Sequence, residues 1–550
     1  MPRNVTMPSK TGWWLRAAAL VLACLGIGVM PLRAADFPQV VQTDSGAVGG
    51  VPGTNPAVMV FKGIPFAAPP VGDLRWKPPV PPAKWNGVLK ADHYGNTCMQ
   101  RSRNAATSQS PLVSEDCLYL NVWTPAKSPN EKHPVMVWIY GGGFMGGSAS
   151  NPSFDGEGLA AKGVVRVSMN YRLGIFGFLT HPDLDKESPN HVSGNYGLLD
   201  QIAALEWVQR NIAAFGGDPK KVTIFGQSAG GGSVHFLSVS PRAKGLFRAG
   251  ISENGLLYQW DPYLIERNPS AYKLIKPSEE DNLAYLKKAG VESLAQLKGM
   301  TAAQLNALPA PPFPPAFFSP VIDGWVLPED FDDVYAQGKQ LDVPMMAGWT
   351  ISYYPGFKLT VADYQKWARA RFGKMADEFL KLYPAATDEE ASLQIEQSAR
   401  DSYRISAYLW AVTRQKSQPK SSANKFYVYS YNHPEPPDVQ HRGASAGVEI
   451  PYVMNSLSKL PERPFVKQDF DIADTMSSYW ANFAKTLNPN GAGLPEWPAV
   501  NVQSHITMQL GEDSKPIPLA TDPRFDFFKR FLEGHPPICH FAEDCSINMQ

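Results

Sequence analysis

Apolar residues in the first half of this chain follow two alternating patterns. HPVMVWIY (His133 to Tyr140) and GVVRVSMNYR (Gly163 to Arg172) are short, nearly continuous apolar runs, as expected of strands covered on both faces. GLLDQIAALEWVQRNIAAFGG (Gly197 to Gly217) instead carries its apolar residues at helical spacing and stops at a Gly-Gly pair. KVTIFGQSAGGGSVHFLSV (Lys221 to Val239) reads as a short strand, a tight glycine turn and a helix. Strands alternating with helices predict an α/β fold, a mostly parallel central sheet with helices on both faces.

The stretch from about Pro269 to Phe318 departs from this pattern. It is helical in places and then turns to LPAPPFPPAFFSP (Leu308 to Pro320), rich in proline and aromatic residues. The expected role is a cap or pocket wall beside the sheet, with a self-packed surface loop as the alternative. No internal repeat or low-complexity linker divides the 550 residues, which a single large α/β domain accommodates. That domain is expected to cover residues 35–550, after a signal peptide at 1–34. Arg3, Lys10 and Arg16 precede the apolar run Ala17 to Met30, and Leu32 and Ala34 form a small-residue cleavage site. The run falls short of the roughly 20 residues of a spanning helix, so a secreted or periplasmic protein with no transmembrane span after cleavage is predicted. An uncleaved anchor is the alternative, and Leu22 makes VLAC, ending at Cys24, a poor lipidation site.

Composition narrows the function. Lys plus Arg and Asp plus Glu number 51 each, so the charge carries no footprint for nucleic acid or an anionic membrane surface. Hydrophobic residues make up 44% and charged residues 19%, a globular balance. The 50 prolines and 45 glycines imply many turns and long loops around a rigid scaffold. Removing the signal leaves Cys98, Cys117, Cys539 and Cys545. Three connectivities are possible, of which two local loops, Cys98–Cys117 and Cys539–Cys545, are the natural one in an oxidising compartment. No CxxC or histidine cluster has metal-ligand spacing, and no metal or cofactor is expected.

The chemistry is concentrated at GQSAG, Gly226 to Gly230. It matches G-x-S-x-G in the required context, strand before and helix after. So sharp a reversal needs small neighbours and pushes Ser228 out over the C-terminal edge of the sheet as a nucleophile. The helix N-terminus and the N–H of Ala229 behind it favour negative charge on a substrate oxygen. Upstream, WIYGGGF (Trp138 to Phe144) ends a strand in three glycines. Gly142 and Gly143 there, together with Ala229, are the candidate oxyanion-hole donors, since backbone N–H groups can approach a substrate only where side chains are absent.

The chain resembles the type-B carboxylesterase family, α/β-hydrolases that include cholinesterases and bacterial para-nitrobenzyl and fumonisin esterases. The resemblance rests on FKGIPFAAPPVGDLRW (Phe61 to Trp76), SEDCLYLNVWTP (Ser114 to Pro125), WIYGGGF, NYRLGIFGFL (Asn170 to Leu179), SGNYGLLDQ (Ser193 to Gln201), the GQSAG region, SPVIDG (Ser319 to Gly324) and EIPY (Glu449 to Tyr452). These run in the family's order over nearly the whole mature chain. The resemblance implies an α/β-hydrolase domain, a Cys98–Cys117 disulfide and hydrolysis of carboxylic esters. It also exposes departures. Gln227 stands where the family usually has glutamate, and the family's acid falls on Tyr353, or on Ser352 if the register slips. The family's histidine, just before G-x-E-I-P-Y, falls on Ala446. The acid works by orienting and stabilising the histidine, so the two losses belong together.

Substitutes are few. His441 lies five residues before Ala446, a span of at most about 17 Å, and Glu253 in GISENG follows the next strand; the two could form a relocated base and acid, or be ordinary loop and structural residues. His433, before PEPP, reads as part of a surface turn. A positioned base contributes about 10²–10⁴-fold, so hydrolysis without one is slow unless the substrate is activated or brings its own basic group. Three functions therefore stand beside one another. One is a carboxylic ester hydrolase with an atypical or substrate-assisted base. Another is a non-hydrolytic enzyme, of lyase, isomerase or transferase type, that polarises a carbonyl in the oxyanion hole. The third is a catalytically silent ligand-binding homologue. Under each, the neutral set Gln227, Ala446 and Tyr353 suits a small uncharged apolar or aromatic ligand bearing an ester or other carbonyl.

Overall fold

The computed structural model describes residues 38–534 apart from 102–108, 110–111, 256–274, 310–317, 330, 351–358, 421, 435 and 437–445. Residues 1–34, Tyr353, His441, Cys539 and Cys545 lie outside the described residues. Eleven strands among those described form one sheet: β1 (Val51–Pro52), β2 (Met59–Pro65), β3 (Tyr119–Thr124), β4 (His133–Ile139), β5 (Val165–Met169), β6 (Gly217–Gln227), β7 (Ala249–Glu253), β8 (Met345–Thr350), β9 (Phe426–Tyr431), β10 (Ile506–Leu510) and β11 (Lys515–Pro518). Their spatial order is β11-β10-β9-β8-β7-β6-β4-β5-β3-β2-β1. The strands from β5 across to β10 are parallel, and the flanking pairs are antiparallel. This is the mostly parallel α/β sheet that the alternation predicts. Every residue of β7, β8 and β9 is buried, so both faces of the sheet centre are covered, as a parallel sheet requires.

The predicted helix after β5 runs over Tyr196–Asn211 (α1) and ends in a 3-10 turn, Ile212–Phe215, before Gly216 at φ 78°. The strand that follows begins at Gly217, earlier than its apolar core Val222 to Phe225 suggests, because Gly217 pairs with His133 across an irregularity in the register. Helix α2 (Ala229–Val239) then leaves the nucleophile turn. In the middle segment α3 (Ile275–Lys288) and two short helices, Leu294–Gly299 and Ala302–Asn306, are helical as expected, while most of the proline-rich run, 310–317, lies outside the described residues. Cys98 and Cys117 are disulfide-bonded.

Strand order reverses between β4 and β6: β5 lies on one side of β4 and β6 on the other. At such a switch point the loops leaving the C-terminal ends of the two strands diverge and open a crevice. The adjoining loop after β5 is held by a buried ion pair. Arg172 donates from its backbone N–H and Nε to Asp200 Oδ2 at 2.9 and 2.8 Å, and from Nη2 to Oδ1 at 2.7 Å. Both side chains are almost fully buried. Asp200→Ala would leave the guanidinium charged and unpaired, and is expected to cost about 3–5 kcal/mol, read as a lowered denaturation midpoint in urea.

Candidate active site

Ser228 sits between β6 and α2 with φ 55° and ψ −122°, a conformation strained for any residue with a Cβ. Neighbouring strands hold it there. Its N–H donates to the Glu253 carbonyl at the end of β7 (2.8 Å), and its carbonyl accepts the first helical bond of α2 from Gly232 N–H (2.8 Å). The helix can start so close to β4 only because position 230 is glycine, since a Cβ there would stand 2.0 Å from the Ile139 carbonyl oxygen. The side chain of Ser228 remains partly exposed.

The glycine loop after β4 runs over this turn. A Cβ on Gly141 would lie 2.4 Å from the Gln227 carbonyl oxygen and 2.9 Å from Ser228 Cβ. Gly142, at φ 121°, closes its own small turn by accepting from Met145 and Gly146 N–H at 3.1 and 3.2 Å. Among the described residues the N–H groups of Gly142, Gly143 and Ala229 find no protein acceptor. Unspent backbone donors beside a nucleophile are what a developing oxyanion needs.

The residues around the hydroxyl are less conventional. Ala446 is exposed, and next to it Gly447, at φ 96°, lies so that a Cβ built on it would be 3.8 Å from Gln227 Nε2. The loop of Ala446 and Gly447 thus closes against Gln227, the residue preceding Ser228. Among the described residues Ser228 Oγ has no hydrogen-bond partner. His235, on α2, faces the core: its ring packs edge-on against Trp410 (5.0 Å between centroids), and burial, then the Arg414 charge, pushes its pKa down to about 3. It is a neutral core histidine. His433 is buried rather than part of an exposed turn, with Nε2 2.8 Å from Asp469 Oδ1 and Nδ1 3.4 Å from Glu512 Oε1.

Glu253 is brought next to the nucleophile through its backbone, but its fully buried side chain points elsewhere and accepts from Trp480 Nε1 at 2.8 Å. Burial, reinforced by the nearby Glu449 charge, pushes its carboxyl well above the ordinary range. In the sequence Glu449 stands only as part of the EIPY match, and Asn254 carries no signal of its own. The structure puts both beside the site. Glu449 is wholly buried, its Oε2 accepts from Gly447 N–H at 2.9 Å, and its Oε1 accepts from Asn254 Nδ2. Burial pushes the Glu449 pKa up to about 7, against the pull of those donors. An acid lodged within the otherwise apolar run VEIPYVM was the available signal.

A cavity of about 240 Å³ opens beside the glycine loop, lined by Gly142, Met145, Leu173, Phe176, Tyr285 and Phe318 among others. Arg101 is at its edge and donates from Nε to the Asn306 carbonyl. Among the described residues no group of three His, Cys, Asp or Glu side chains is placed to hold a metal ion, and no helix is long and apolar enough to cross a membrane.

A parallel sheet with a serine on a strained strand-to-helix turn, at the point where strand order reverses, defines an α/β-hydrolase. Residues 38–526 match the model of the carboxylesterase family. The chain is 36% identical over 497 residues to the fumonisin B1 esterase of Sphingopyxis macrogoltabida, covering 88% of each protein. It is 34% identical to the para-nitrobenzyl esterase of Bacillus subtilis, covering 88% of this chain and 96% of that one. With the human cocaine esterase it shares 35% identity, and 91% of each chain is covered. The chain belongs to the carboxylesterase family.

Proposed function

We propose that this protein is an exported hydrolase of small carboxylic esters, with Ser228 as nucleophile, Gly142, Gly143 and Ala229 as oxyanion donors, and no histidine at the family's position. The observation that carries this reading is the strained Ser228 together with three backbone N–H groups, of Gly142, Gly143 and Ala229, that have no protein acceptor among the described residues. That strain and those idle donors serve no packing purpose, and both are accounted for by acyl transfer. Membership of the carboxylesterase family supports the same chemistry. The proton of Ser228 passes to a basic group of the substrate or to His441, because Ala446 offers no acceptor and the Glu253 carboxyl is fully buried against Trp480. The apolar lining of the adjoining cavity favours an uncharged apolar or aromatic ester. Export through residues 1–34, leaving one domain over 35–550, rests on the basic and apolar N-terminal pattern.

The test is labelling with a fluorophosphonate together with turnover of p-nitrophenyl acetate. Both are expected in the wild type, with the label on Ser228, and both are expected to vanish in Ser228→Ala. Turnover that survives in Ser228→Ala would exclude nucleophilic catalysis at this residue. A second reading draws on the Ser228 hydroxyl having no partner among the described residues: without a base, the oxyanion donors polarise a carbonyl for a non-hydrolytic reaction. Conversion of a carbonyl compound by the unlabelled Ser228→Ala protein would favour it.

A further inference from the structure

We propose that Glu449 and Asn254 form a positioning pair that locks the loop of Ala446 and Gly447 onto the nucleophile turn, and that the lock holds firmly only when Glu449 is a carboxylate. This inference rests on Ser228 being the nucleophile and adds the group that governs its surroundings.

Asn254, at φ 48°, stands at the crossing of three loops. Its Oδ1 accepts from Thr350 N–H at 2.9 Å and from Thr350 Oγ1 at 3.2 Å, at the end of β8 and three residues before Tyr353. Its own N–H donates to the Gly348 carbonyl at 2.8 Å. Its Nδ2 donates to Glu449 Oε1, and the other carboxylate oxygen takes Gly447 N–H, one residue from Ala446. The residue before it, Glu253, holds Ser228 N–H through its carbonyl. One amide and one carboxylate thus join the ends of β7 and β8 to the loop at 446–449.

The donor pattern decides the charge state. Both oxygens of Glu449 receive an N–H, which suits an ionised carboxylate; a protonated acid would meet one of them with its hydroxyl oxygen, a weaker acceptor, and would need a further acceptor for its own O–H. Among the described residues no cation offsets the charge. Among the described residues the titratable groups facing it are Glu253 from β7, itself raised, and Tyr429 and Tyr431 from β9, both phenols raised well above their usual range. Arg166 on β5 acts on Glu253, while Trp480 and Gln227 bring no charge. Burial therefore opposes the ionisation that the donors favour, and the balance falls at about 7. Below that pH one donor is left with a hydroxyl oxygen, a weaker acceptor, and the loop is held less firmly on the nucleophile turn.

The experiment is the pH profile of fluorophosphonate labelling at Ser228 in the wild type, Glu449→Gln and Asn254→Ala. Between pH 6 and 8 the wild-type rate is expected to rise about tenfold, following the ionised fraction of a group titrating near 7. The rise should disappear in Glu449→Gln and shrink in Asn254→Ala. A Glu449→Gln profile that still rises as in the wild type, or a flat wild-type profile, overturns the proposal. Absence of any label at pH 8 would instead count against Ser228, and the melting temperature then decides on Glu449. A carboxyl raised in the folded state stabilises at low pH and loses that contribution as pH climbs from its unfolded value of 4.5 to about 7. The wild-type melting temperature should therefore fall across that window relative to Glu449→Gln, and parallel curves for the two proteins would refute the assignment.

Discussion

Placing histidine at 446 and glutamate at 353 together is expected to raise kcat/KM for simple esters by about 10²–10⁴-fold, the contribution of a positioned base. The double change matters because the imidazole must present the right nitrogen to the serine, and the acid enforces that tautomer and stabilises the imidazolium formed during attack. Ala446→His alone should yield a smaller gain, and Tyr353→Glu alone none. Position 446 suits the graft: it is exposed, its neighbour Gly447 adjoins Gln227, and the helix Ile450–Met454 that follows is buried and fixes the register. Rates on p-nitrophenyl acetate and on an unactivated ethyl ester should be compared, because a base helps most where the substrate is least activated. No gain in a folded double mutant would mean that position 446 does not serve Ser228. A wild type that resists fluorophosphonate beside a double mutant that is labelled would rule out His441 as a working base.

After Ser228 itself, the largest expected loss comes from Gly142→Ala. A Cβ there would stand 2.0 Å from the Gly146 carbonyl oxygen, and φ at this position is 121°. The loop can accept that methyl only by turning the peptide, which takes an oxyanion donor away from its place above Ser228. Losing one such donor typically lowers kcat by about 10²–10³-fold. Gly143→Ala is the informative contrast, since a Cβ at Gly143 meets nothing within 4 Å and φ is 63°. That left-handed conformation costs a residue with a Cβ about 1–2 kcal/mol, so a smaller loss is expected. Equal losses in two variants with wild-type circular dichroism would contradict the assignment of Gly142 as the more constrained donor.

Much of the scaffold was legible because its signals are local. β4, β5 and α1 announce themselves through runs and periods that extend over fewer than twenty residues each, and the strand, turn and helix around Ser228 are contiguous. The glycine loop was legible for the same reason. The start of β6 at Gly217 was not, because Gly217 is drawn into the sheet by pairing with His133 of β4 and not by its own preference. His433 was misread as lying in an exposed turn because the proline residues after it mark a loop but say nothing of what covers it. Asp469, 36 residues later, brings it into the interior.

By itself the sequence determined the α/β alternation, the strand, turn and helix around Ser228, and the glycine loop before them. Each is a matter of which residue types stand in one short stretch. Only the tertiary structure decided what surrounds Ser228. Asn254 and Glu449 are 195 residues apart in the chain, and they meet because β7, β8 and the loop before the helix Ile450–Met454 converge at one edge of the sheet. The charge of Glu449 was equally out of reach of the sequence, since it depends on burial and on which N–H groups the folded backbone aims at its two oxygens.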